Sequence, residues 1–359
     1  MHRLALLLYA LGLLAFSLPA RCDKVDELVI AQMKSRHIPG LSLAVVFKGK
    51  VVNAASYGLA DVDRRSLVSA QTTFDVGSVG KQFTAAAVLM LVERGKLRLE
   101  DPIGRYIADV PPAWRPITLR HLLTHTSGLK DYETELPGAA QGQALTPTDI
   151  VRRAQSNPLN FRPGEKWLYS QTGYVLLGMV VEAASGQLFG DYVTSNIFKP
   201  LRMTSTHVKG TSGGGLNLAT GYQWADGAYQ RVDRDVTAYA DGFFASTAED
   251  LTRWSEALIA DTLLSKSSRE LMWTPMKLND GKPTIYGLGW YIETFHQHRI
   301  IGHAGVSGGY STNLTCFPDD KLTVIVLTNL RNVNAFEVGR AVAGLYVPDL
   351  VPKPAGTGE

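Results

Sequence analysis

A serine and a lysine three residues apart form the first pair in this sequence that could do chemistry. They are Ser78 and Lys81, within the run FDVGSVGKQF at residues 74–83. A glycine followed by a lysine can mark a phosphate-binding loop, but that loop requires Ser or Thr after the lysine. Gln82 follows Lys81 here, so the phosphate interpretation fails. The other interpretation is a serine nucleophile with a nearby base.

The residues that follow Ser78 predict the helix that such a pair needs. Apolar residues at helical spacing mark one face, and Gly95 ends the run; the face carries Phe83, Ala86, Ala87, Met90 and Leu91. Lys81 lies one turn after Ser78, so the two side chains share a face. The free N–H groups at a helix start also favour negative charge that develops at the serine.

The elements around this pair indicate an α+β fold. Strand-like runs near the amino end, LSLAVVFK and VVNAASYG, are matched near the other end by YGLGWYIET, RIIGH, GYSTNLTCF and LTVIVLTN. Helix-start signals at Asp101-Pro102, Thr118 and Thr146-Pro147, and the apolar run YVLLGMVVEAAS before Gly186, predict helices between the two groups. STAED at 246–250 reads as a capping box of Ser246 and Glu249, and a last helix is expected at about 334–346. We therefore expect a mostly antiparallel sheet built from both chain ends, with flanking helices and a helical insertion.

Two further motifs identify a family that this sequence resembles. WLYSQTGY places Tyr169 before the buried helix, and IGHAGVSGGY places His303 and Gly305 at the end of a strand-like run. Ser-Val-Gly-Lys, Tyr-Ser-x-x-Gly-Tyr and His-Ala-Gly in this order resemble the serine β-lactamase and penicillin-recognising hydrolase superfamily. The class C β-lactamase and D,D-peptidase branch is the most similar, also in LRHLLTHTSGL (119–129) and GFFASTAEDLTRW (242–254). The resemblance covers roughly residues 25–345.

The resemblance implies a role for each matching residue. Ser78 would be the acylated nucleophile, and Lys81 and Tyr169 would share the transfer of protons. The backbone N–H groups of Ser78 and Val306, next to Gly305, would form the oxyanion hole. His303 would line the third wall, where many β-lactamases have lysine. It implies no metal and no cofactor.

One position departs from the family pattern. The family usually has asparagine two residues after the tyrosine, where it holds the substrate's amide, and this chain has Gln171. The added methylene extends the side chain by about 1.5 Å, the length of one C–C bond. We expect this change to affect the recognition of peptides and β-lactams more than the nucleophile. Histidine is also largely neutral near pH 7, so His303 offers a substrate carboxylate less charge than lysine.

Other candidate motifs in the sequence favour structural roles. A second Ser-x-x-Lys, Ser127 and Lys130, is interrupted by Gly128, so this pair need not share a face. GVSGG, with Ser307, matches a nucleophile elbow, but a strand-like run follows it and no histidine comes later. His121 and His125 have zinc-binding spacing without the glutamate that normally accompanies it, and are read as a structural pair in a packed helix. His296 and His298 flank Gln297 at a predicted hairpin turn and are read as surface residues.

The amino end predicts export. Arg3, the apolar run at residues 4–16 and SLPARC have the layout of a signal peptide at 1–22, and the apolar run is short for a membrane anchor. We expect a sheet domain of residues 23–80 and 235–350, a helical domain of 81–234 and a flexible tail of 351–359. Without Arg3 and Arg21 the formal charge falls from +3 to about +1, and no basic run predicts a nucleic-acid partner. A secreted or periplasmic protein with no stable membrane span after processing is the expectation.

These observations predict an exported serine hydrolase that works through an acyl-enzyme. Carboxylic esters, D-amino-acid peptides such as the cell-wall stem peptide, and β-lactams are the three substrate classes that remain open. Gln171 and His303 make the β-lactamase alternative less favoured than the other two classes. A non-catalytic cell-wall-binding or sensing protein is the rival from another class.

Overall fold

The computed structural model describes residues 24–136, 145–209, 217–232 and 239–350, so the predicted leader and tail lie outside the described residues. The α-helices are α1 (Lys24–Ser35), α2 (Lys81–Glu93), α3 (Leu119–Leu123), α4 (Pro147–Gln155), α5 (Gln171–Ser185), α6 (Phe189–Val193), α7 (Ala248–Ile259), α8 (Lys266–Met272) and α9 (Ala335–Ala343). Short 3-10 helices span Gly77–Gly80, Ile103–Arg105, Pro112–Trp114 and Pro348–Leu350, and a π-helix spans Thr194–Phe198.

Seven strands form one antiparallel sheet in the order β3-β2-β1-β12-β11-β10-β9. They are β1 (Gly40–Phe47), β2 (Lys50–Asp61), β3 (Ser66–Leu67), β9 (Tyr291–Phe295), β10 (His298–Ser307), β11 (Tyr310–Phe317) and β12 (Leu322–Thr328). The two chain ends meet where β1 pairs with β12, with Leu43 opposite Val326. The predicted α+β fold, with a sheet built from both ends of the chain, is confirmed.

Helices cover both faces of this sheet, which explains why its central strands are apolar throughout. Along β12, Val324 and Val326 pack on the side of α1 and α9, while Ile325 and Leu327 pack on the side of α2, α5 and α7. This alternation is the two-residue period of a strand. The second side carries the larger core, and the candidate site lies there.

Helix α2 differs from the amphipathic helix that the sequence predicts. Every residue from Lys81 to Leu91 is buried, so the helix has no solvent face over this stretch. The ring of Phe83 packs against Phe198, Phe244 and Trp254 with ring centroids 4.9–5.2 Å apart. The prediction of a single buried face was wrong, because Thr84, Ala85, Val88 and Leu89 on the other faces are buried as well.

Several predicted element ends are confirmed and others are corrected. Thr118 and Thr146 cap α3 and α4, and Gly186 ends α5 in the left-handed conformation. The start signal at Asp101-Pro102 gives only the short 3-10 helix Ile103–Arg105.

The predicted capping box at 246–250 is shifted by one residue. Ser246 lies in β8 (Phe244–Ser246), and Thr247 caps α7 by accepting the Asp250 N–H at 3.1 Å. The Ser246 hydroxyl lies instead 2.8 Å from the Thr206 hydroxyl, in hydrogen-bond contact.

Shorter strands lie outside the large sheet. β4 (Phe74–Asp75), β8 and β5 (His207–Val208) form a three-stranded sheet, and β6 (Tyr222–Ala225) pairs with β7 (Ala228–Arg231). Thus the segment predicted as helical also contains β5, β6 and β7. Among the described residues no single helix is long and apolar enough to cross a membrane; α5 and the segment Phe189–Phe198, which are bent by 76°, meet that requirement only together.

Candidate active site

Ser78 lies in the 3-10 helix between β4 and α2. Gly77 adopts a left-handed conformation with φ of 51°, which permits the sharp turn after β4. Asp75 holds this turn, because its Oδ1 accepts the Gly77 N–H at 2.9 Å and its Oδ2 pairs with Lys209 Nζ at 2.7 Å. The nucleophile candidate is therefore held at the start of α2 by its own backbone and by the partly buried ion pair of Asp75 and Lys209.

Lys81 begins α2, and its buried amine meets three acceptors. Its Nζ lies 3.1 Å from Ser78 Oγ, as the i+3 spacing predicts, and also contacts Gln171 Oε1 and the backbone oxygen of Asp241. Burial lowers the pKa of Lys81 to about 8, although the negative charges of Asp241, Glu133 and Asp131 oppose this effect. About a tenth of the protein therefore carries a neutral Lys81 at pH 7.

The contacts of Lys81 suit a base that takes the proton of Ser78. A charged amine has three N–H donors, whereas a neutral amine has two N–H donors and a lone pair. Gln171 Oε1 and the Asp241 oxygen can accept only hydrogen bonds at these positions, so they orient two N–H groups. The third direction of the nitrogen then faces Ser78 Oγ, where the lone pair of the neutral amine can accept a proton.

Tyr169 lies directly before α5, as the sequence predicts, with its ring beside Lys81. Lys81 Nζ is 5.0 Å from the ring centroid, and the buried Tyr169 hydroxyl has no hydrogen-bond partner among the described residues. Burial raises the pKa of Tyr169 well above its usual range, and the neighbouring Ser78 hydroxyl opposes this shift. Near neutral pH the phenol therefore keeps its proton, and Lys81 is the group that can take one.

His125 is a residue of this site that sequence reasoning missed. It does not share a helix with His121, because α3 ends at Leu123 and His125 adopts a left-handed conformation with φ of 57°. Its ring packs 4.1 Å from the Tyr169 ring, and its Nδ1 accepts the Ser170 N–H at 3.2 Å. Its backbone oxygen accepts the Leu168 N–H at 2.9 Å.

These contacts make His125 a clamp on the segment that carries Tyr169. Burial, with the charge of Lys81, holds the pKa of His125 well below its usual range, so the ring is neutral and Nδ1 can act as an acceptor. The signal in the sequence was the resemblance of LRHLLTHTSGL to the family, but nothing in that stretch alone connects it to Tyr169.

Gln171 is the first residue of α5, and it joins Lys81 to a group of acids. Its N–H donates to Asp131 Oδ2 at 2.7 Å, and its side-chain Nε2 donates to Glu133 Oε2 at 3.4 Å. Its Oε1 contacts the amine of Lys81, so both polar atoms of the side-chain amide have hydrogen-bond partners. Gln171 also lines the cleft. The longer side chain therefore reaches the amine of Lys81, which the sequence alone did not predict.

His303 lies in β10 and is buried, with both ring nitrogens in hydrogen bonds. Nδ1 lies 2.6 Å from the Ala304 oxygen, which can only accept, so Nδ1 carries the proton. Nε2 then accepts the Tyr286 hydroxyl at 2.9 Å. Burial, with the charge of Lys81, lowers the pKa of His303 to about 3, so this wall of the cleft carries no positive charge near pH 7.

Gly305 and Val306 continue β10 past the end of its neighbour. β9 begins at Tyr291, which pairs with Gly302, so residues 303–307 have no strand partner on that edge within the described ranges. A Cβ on Gly305 would lie only 2.0 Å from the Val76 oxygen, and one on Gly77 would lie 3.0 Å from Val306 N. Only glycine permits this close approach, which brings the backbone N–H of Val306 near Gly77, the residue before Ser78.

These residues line one cleft with a volume of about 510 Å³. The cleft is lined by Ser78, Tyr169, Gln171, His303 and Val306, together with Asp75, Glu133, Asp241, Tyr291, Ser307 and Arg331 among others. All the residues that the sequence predicts for the site line this cleft except two. The exceptions are Lys81, which is buried beneath the cleft, and Gly305.

The second Ser-x-x-Lys motif and the His121 motif make structural contacts. Lys130 Nζ donates to Asn160 Oδ1 at 3.2 Å, and the Ser127 oxygen accepts the Leu129 N–H, so this pair does not form a nucleophile and base. His121 Nδ1 accepts the Thr118 N–H. The described part of the chain contains no cluster of three or more His, Cys, Asp or Glu residues placed to hold a metal ion.

The remaining histidine motif lies at the expected turn. The turn at His296 and Gln297 joins β9 to β10 as predicted, but His298 is only partly exposed and pairs with Asp320 at 2.9 Å.

Comparison with known proteins identifies relatives of this fold and site. Penicillin-binding protein 4* of Bacillus subtilis (strain 168) is 32% identical over 307 residues, which is 80% of this chain and 68% of that protein. Protein flp of Staphylococcus aureus (strain N315) is 26% identical over 341 residues, which is 92% of this chain and 65% of that protein. The chain thus spans about two thirds of the length of these relatives.

Solved structures give the same picture. The octameric penicillin-binding protein homologue from Pyrococcus abyssi superposes with a TM-score of 0.81 at 28% identity, over 90% of this chain and 77% of that chain. A D-stereospecific amidohydrolase from Streptomyces sp. superposes with a TM-score of 0.75 at 26% identity, over 90% of this chain and 97% of that chain. The family described as Beta-lactamase matches residues 25–347. The chain belongs to the β-lactamase family of serine hydrolases.

Proposed function

We propose that this protein hydrolyses an ester or a D-amino-acid amide through an acyl-enzyme on Ser78. The observation that carries the proposal is the buried Lys81 amine, 3.1 Å from Ser78 Oγ, with a pKa near 8. A surface lysine would keep its proton near pH 7 and could not act as a base. A buried one that loses it readily can activate the serine.

The first half of the reaction forms the acyl-enzyme. Neutral Lys81 takes the proton of Ser78 Oγ, and the oxygen attacks the carbonyl carbon of the substrate. The N–H groups of Ser78 and Val306 stabilise the oxyanion that develops. The bond to the leaving group then breaks, and the leaving group receives a proton through Lys81 and Tyr169.

The second half releases the acid and restores the serine. Water gives a proton to Lys81 as its oxygen attacks the acyl carbon. The bond to Ser78 Oγ breaks, and the serine oxygen regains a proton from Lys81. No charge is left behind on Tyr169, which agrees with its raised pKa.

The relatives support the choice of substrates. The names of two similar proteins refer to penicillin binding and to D-stereospecific amide hydrolysis. The unpaired edge of β10 beside Ser78 is suited to an extended acyl or peptide chain. β-Lactams remain the alternative substrate, and export, which rests on residues 1–22, remains part of this proposal.

A labelling experiment tests the nucleophile. Wild-type protein should gain one fluorophosphonate adduct by intact mass, Ser78→Ala should gain none, and Ser127→Ala should be labelled like the wild type. Ser127 is the matched control because it also precedes a lysine by three residues. Labelling that persists in Ser78→Ala contradicts the assignment.

A substrate panel tests the reaction. p-Nitrophenyl esters, D-Ala-D-Ala peptides and nitrocefin should be assayed with the wild type and Ser78→Ala. Turnover of the esters or peptides that is lost in the variant supports the proposal. Turnover of nitrocefin alone favours the β-lactamase alternative, and binding of these compounds without turnover favours a non-catalytic protein.

A further inference from the structure

The hydroxyl group of Thr312 joins the two segments that carry the proposed oxyanion hole. Thr312 is a fully buried residue of β11. Its Oγ1 donates a hydrogen bond to the Val76 oxygen at 2.9 Å and lies 3.5 Å from the Gly305 oxygen. Val76 lies two residues before Ser78, and Gly305 directly precedes Val306. One side chain therefore contacts the backbone beside both N–H groups of the hole.

The Val76 oxygen holds the turn that carries Ser78. It also accepts the Val79 N–H at 3.2 Å, and this hydrogen bond closes the first turn of the 3-10 helix around Ser78. The Thr312 hydroxyl is a second donor to the same oxygen. Since a carbonyl oxygen has two lone pairs, both hydrogen bonds can form together. The position of this oxygen therefore fixes where the turn, with the Ser78 N–H in it, lies against the sheet.

The same hydroxyl lies at the point where β10 meets this turn. A Cβ on Gly305 would lie 2.0 Å from the Val76 oxygen and 2.5 Å from Thr312 Oγ1. These three groups are thus packed without room for a further atom. Without the hydroxyl the turn loses this hydrogen bond to the sheet, and the distance between the N–H groups of Ser78 and Val306 can change.

The sheet itself does not require a hydroxyl at this position. The backbone of Thr312 pairs with Gly305 on one side and with Leu327 on the other, as any strand residue could. Valine has the same branched shape, and it would avoid the free-energy cost of burying a hydroxyl. Thr312 is not among the residues that line the cleft, so it neither contacts the substrate nor transfers a proton. The contact with Val76 therefore explains the residue type.

We propose that Thr312 is a positioning residue for the oxyanion hole, because its hydroxyl holds the turn of Ser78 against β10. The N–H groups of Ser78 and Val306 must each lie about 2.7–3.1 Å from the position of the developing oxyanion. A displacement of about 1 Å can lower the rate by about 100-fold. The inference rests on the proposed function, since it concerns the same acyl transfer, and it adds a residue outside the cleft to those that determine the rate.

Removal of the hydroxyl tests the inference. Thr312→Val keeps the shape of the side chain and should lower kcat/KM for a p-nitrophenyl ester by about 10- to 100-fold. Thr312→Ser keeps the hydroxyl and should retain most of the wild-type value. The pH profile of kcat/KM should keep its acid limb in place in Thr312→Val, because Thr312 is not among the groups that act on Lys81.

Phenylboronic acid measures the oxyanion hole more directly. Its boron accepts an electron pair from Ser78 Oγ while the serine proton passes to Lys81, and one boronate oxygen then occupies the oxyanion position. Its inhibition constant should rise in Thr312→Val by the same factor by which kcat/KM falls. Thr323→Val is the control, because Thr323 is a buried threonine of β12 whose hydroxyl contacts Cys316 Sγ at 3.5 Å. This variant should behave like the wild type.

Thr312→Val with the wild-type rate overturns the inference while the proposed function stands, and so does an equal loss in Thr312→Ser. An acid limb that moves in Thr312→Val also overturns it, as does an unchanged inhibition constant for the boronic acid while kcat/KM falls. Thr312→Ala, which places no methyl group beside the Val76 oxygen, gives the same decision if Thr312→Val does not fold. Wild-type protein that hydrolyses no ester or peptide of the panel above overturns the proposed function itself.

Discussion

Replacing Glu133 with glutamine should shift the pH dependence of activity to lower pH. Kinetics with a neutral ester report the free enzyme through kcat/KM, which should follow the neutral fraction of Lys81. With a pKa of about 8, this fraction is about 1% at pH 6 and about 90% at pH 9. In the wild type kcat/KM should therefore rise about 90-fold between these pH values and then level off.

Glu133 is one of three acids whose charges raise the pKa of Lys81. The amide of Gln171 bridges the two groups, since it contacts Lys81 through Oε1 and Glu133 through Nε2. Charges roughly 7 Å apart interact by about 0.6 kcal/mol in water and about 2.4 kcal/mol at an effective dielectric constant of 20. Removing that attraction favours neutral Lys81 and lowers its pKa by about 0.4 to 1.7.

The assay measures kcat/KM at pH 6 and at pH 9, and compares the ratio of the first to the second between variant and wild type. This ratio should be about 3- to 30-fold higher in Glu133→Gln than in the wild type, since more of the amine is neutral at pH 6. Glu293→Gln is the control, because Glu293 is an exposed acid that is not among the groups acting on Lys81. An acid limb that stays in place or moves to higher pH in Glu133→Gln refutes the reasoning, as does a flat wild-type profile.

Three more changes test the supporting contacts. Gln171→Asn should lower ester kcat/KM by about 10- to 100-fold, because the shorter side chain cannot reach both Lys81 and Glu133; an unchanged ester rate contradicts this. His125→Asn should keep more of kcat than His125→Gln, because only asparagine places an acceptor at the position of Nδ1. Neither His125 variant should lower kcat further in a protein that already carries Tyr169→Phe. Equal losses in both, or losses that add to Tyr169→Phe, assign His125 another role. Between pH 8 and 10.5 the wild type should gain about 3 kcal/mol in free energy of unfolding relative to Lys81→Met, because folded Lys81 loses its proton first and the unfolded state binds more protons. Urea unfolding at both pH values measures this gain, and a constant difference contradicts it.

The sequence predicts the parts of this site that depend on short-range geometry. Ser78 and Lys81 are three residues apart, and the helical turn brings their side chains together. Strands such as β11 and β12 were found because long apolar runs fit the centre of a sheet covered on both faces. Tyr169 and His303 were found through their motifs, since their distance from Ser78 along the chain gives no geometric signal.

The parts that the sequence does not predict depend on contacts between distant segments. Asp241 holds Lys81 through a backbone oxygen, which any residue type could supply. His125 contacts Tyr169 only because the chain leaves α3 in a left-handed conformation. Arg331 enters the cleft because Tyr222 ties its backbone to the turn at Gly309. None of these contacts has a periodicity or a spacing that could be read beforehand.

The protonation states around Ser78 explain why a single amine can act as the base. Burial raises the pKa of Tyr169 and lowers those of His125 and His303, so all three stay neutral near pH 7. A second cation among them would further lower the pKa of Lys81, and a tyrosinate would raise it. Lys81 is therefore the group nearest to Ser78 that changes charge near the working pH. The same neutrality leaves the wall of the cleft at His303 without a positive charge near pH 7.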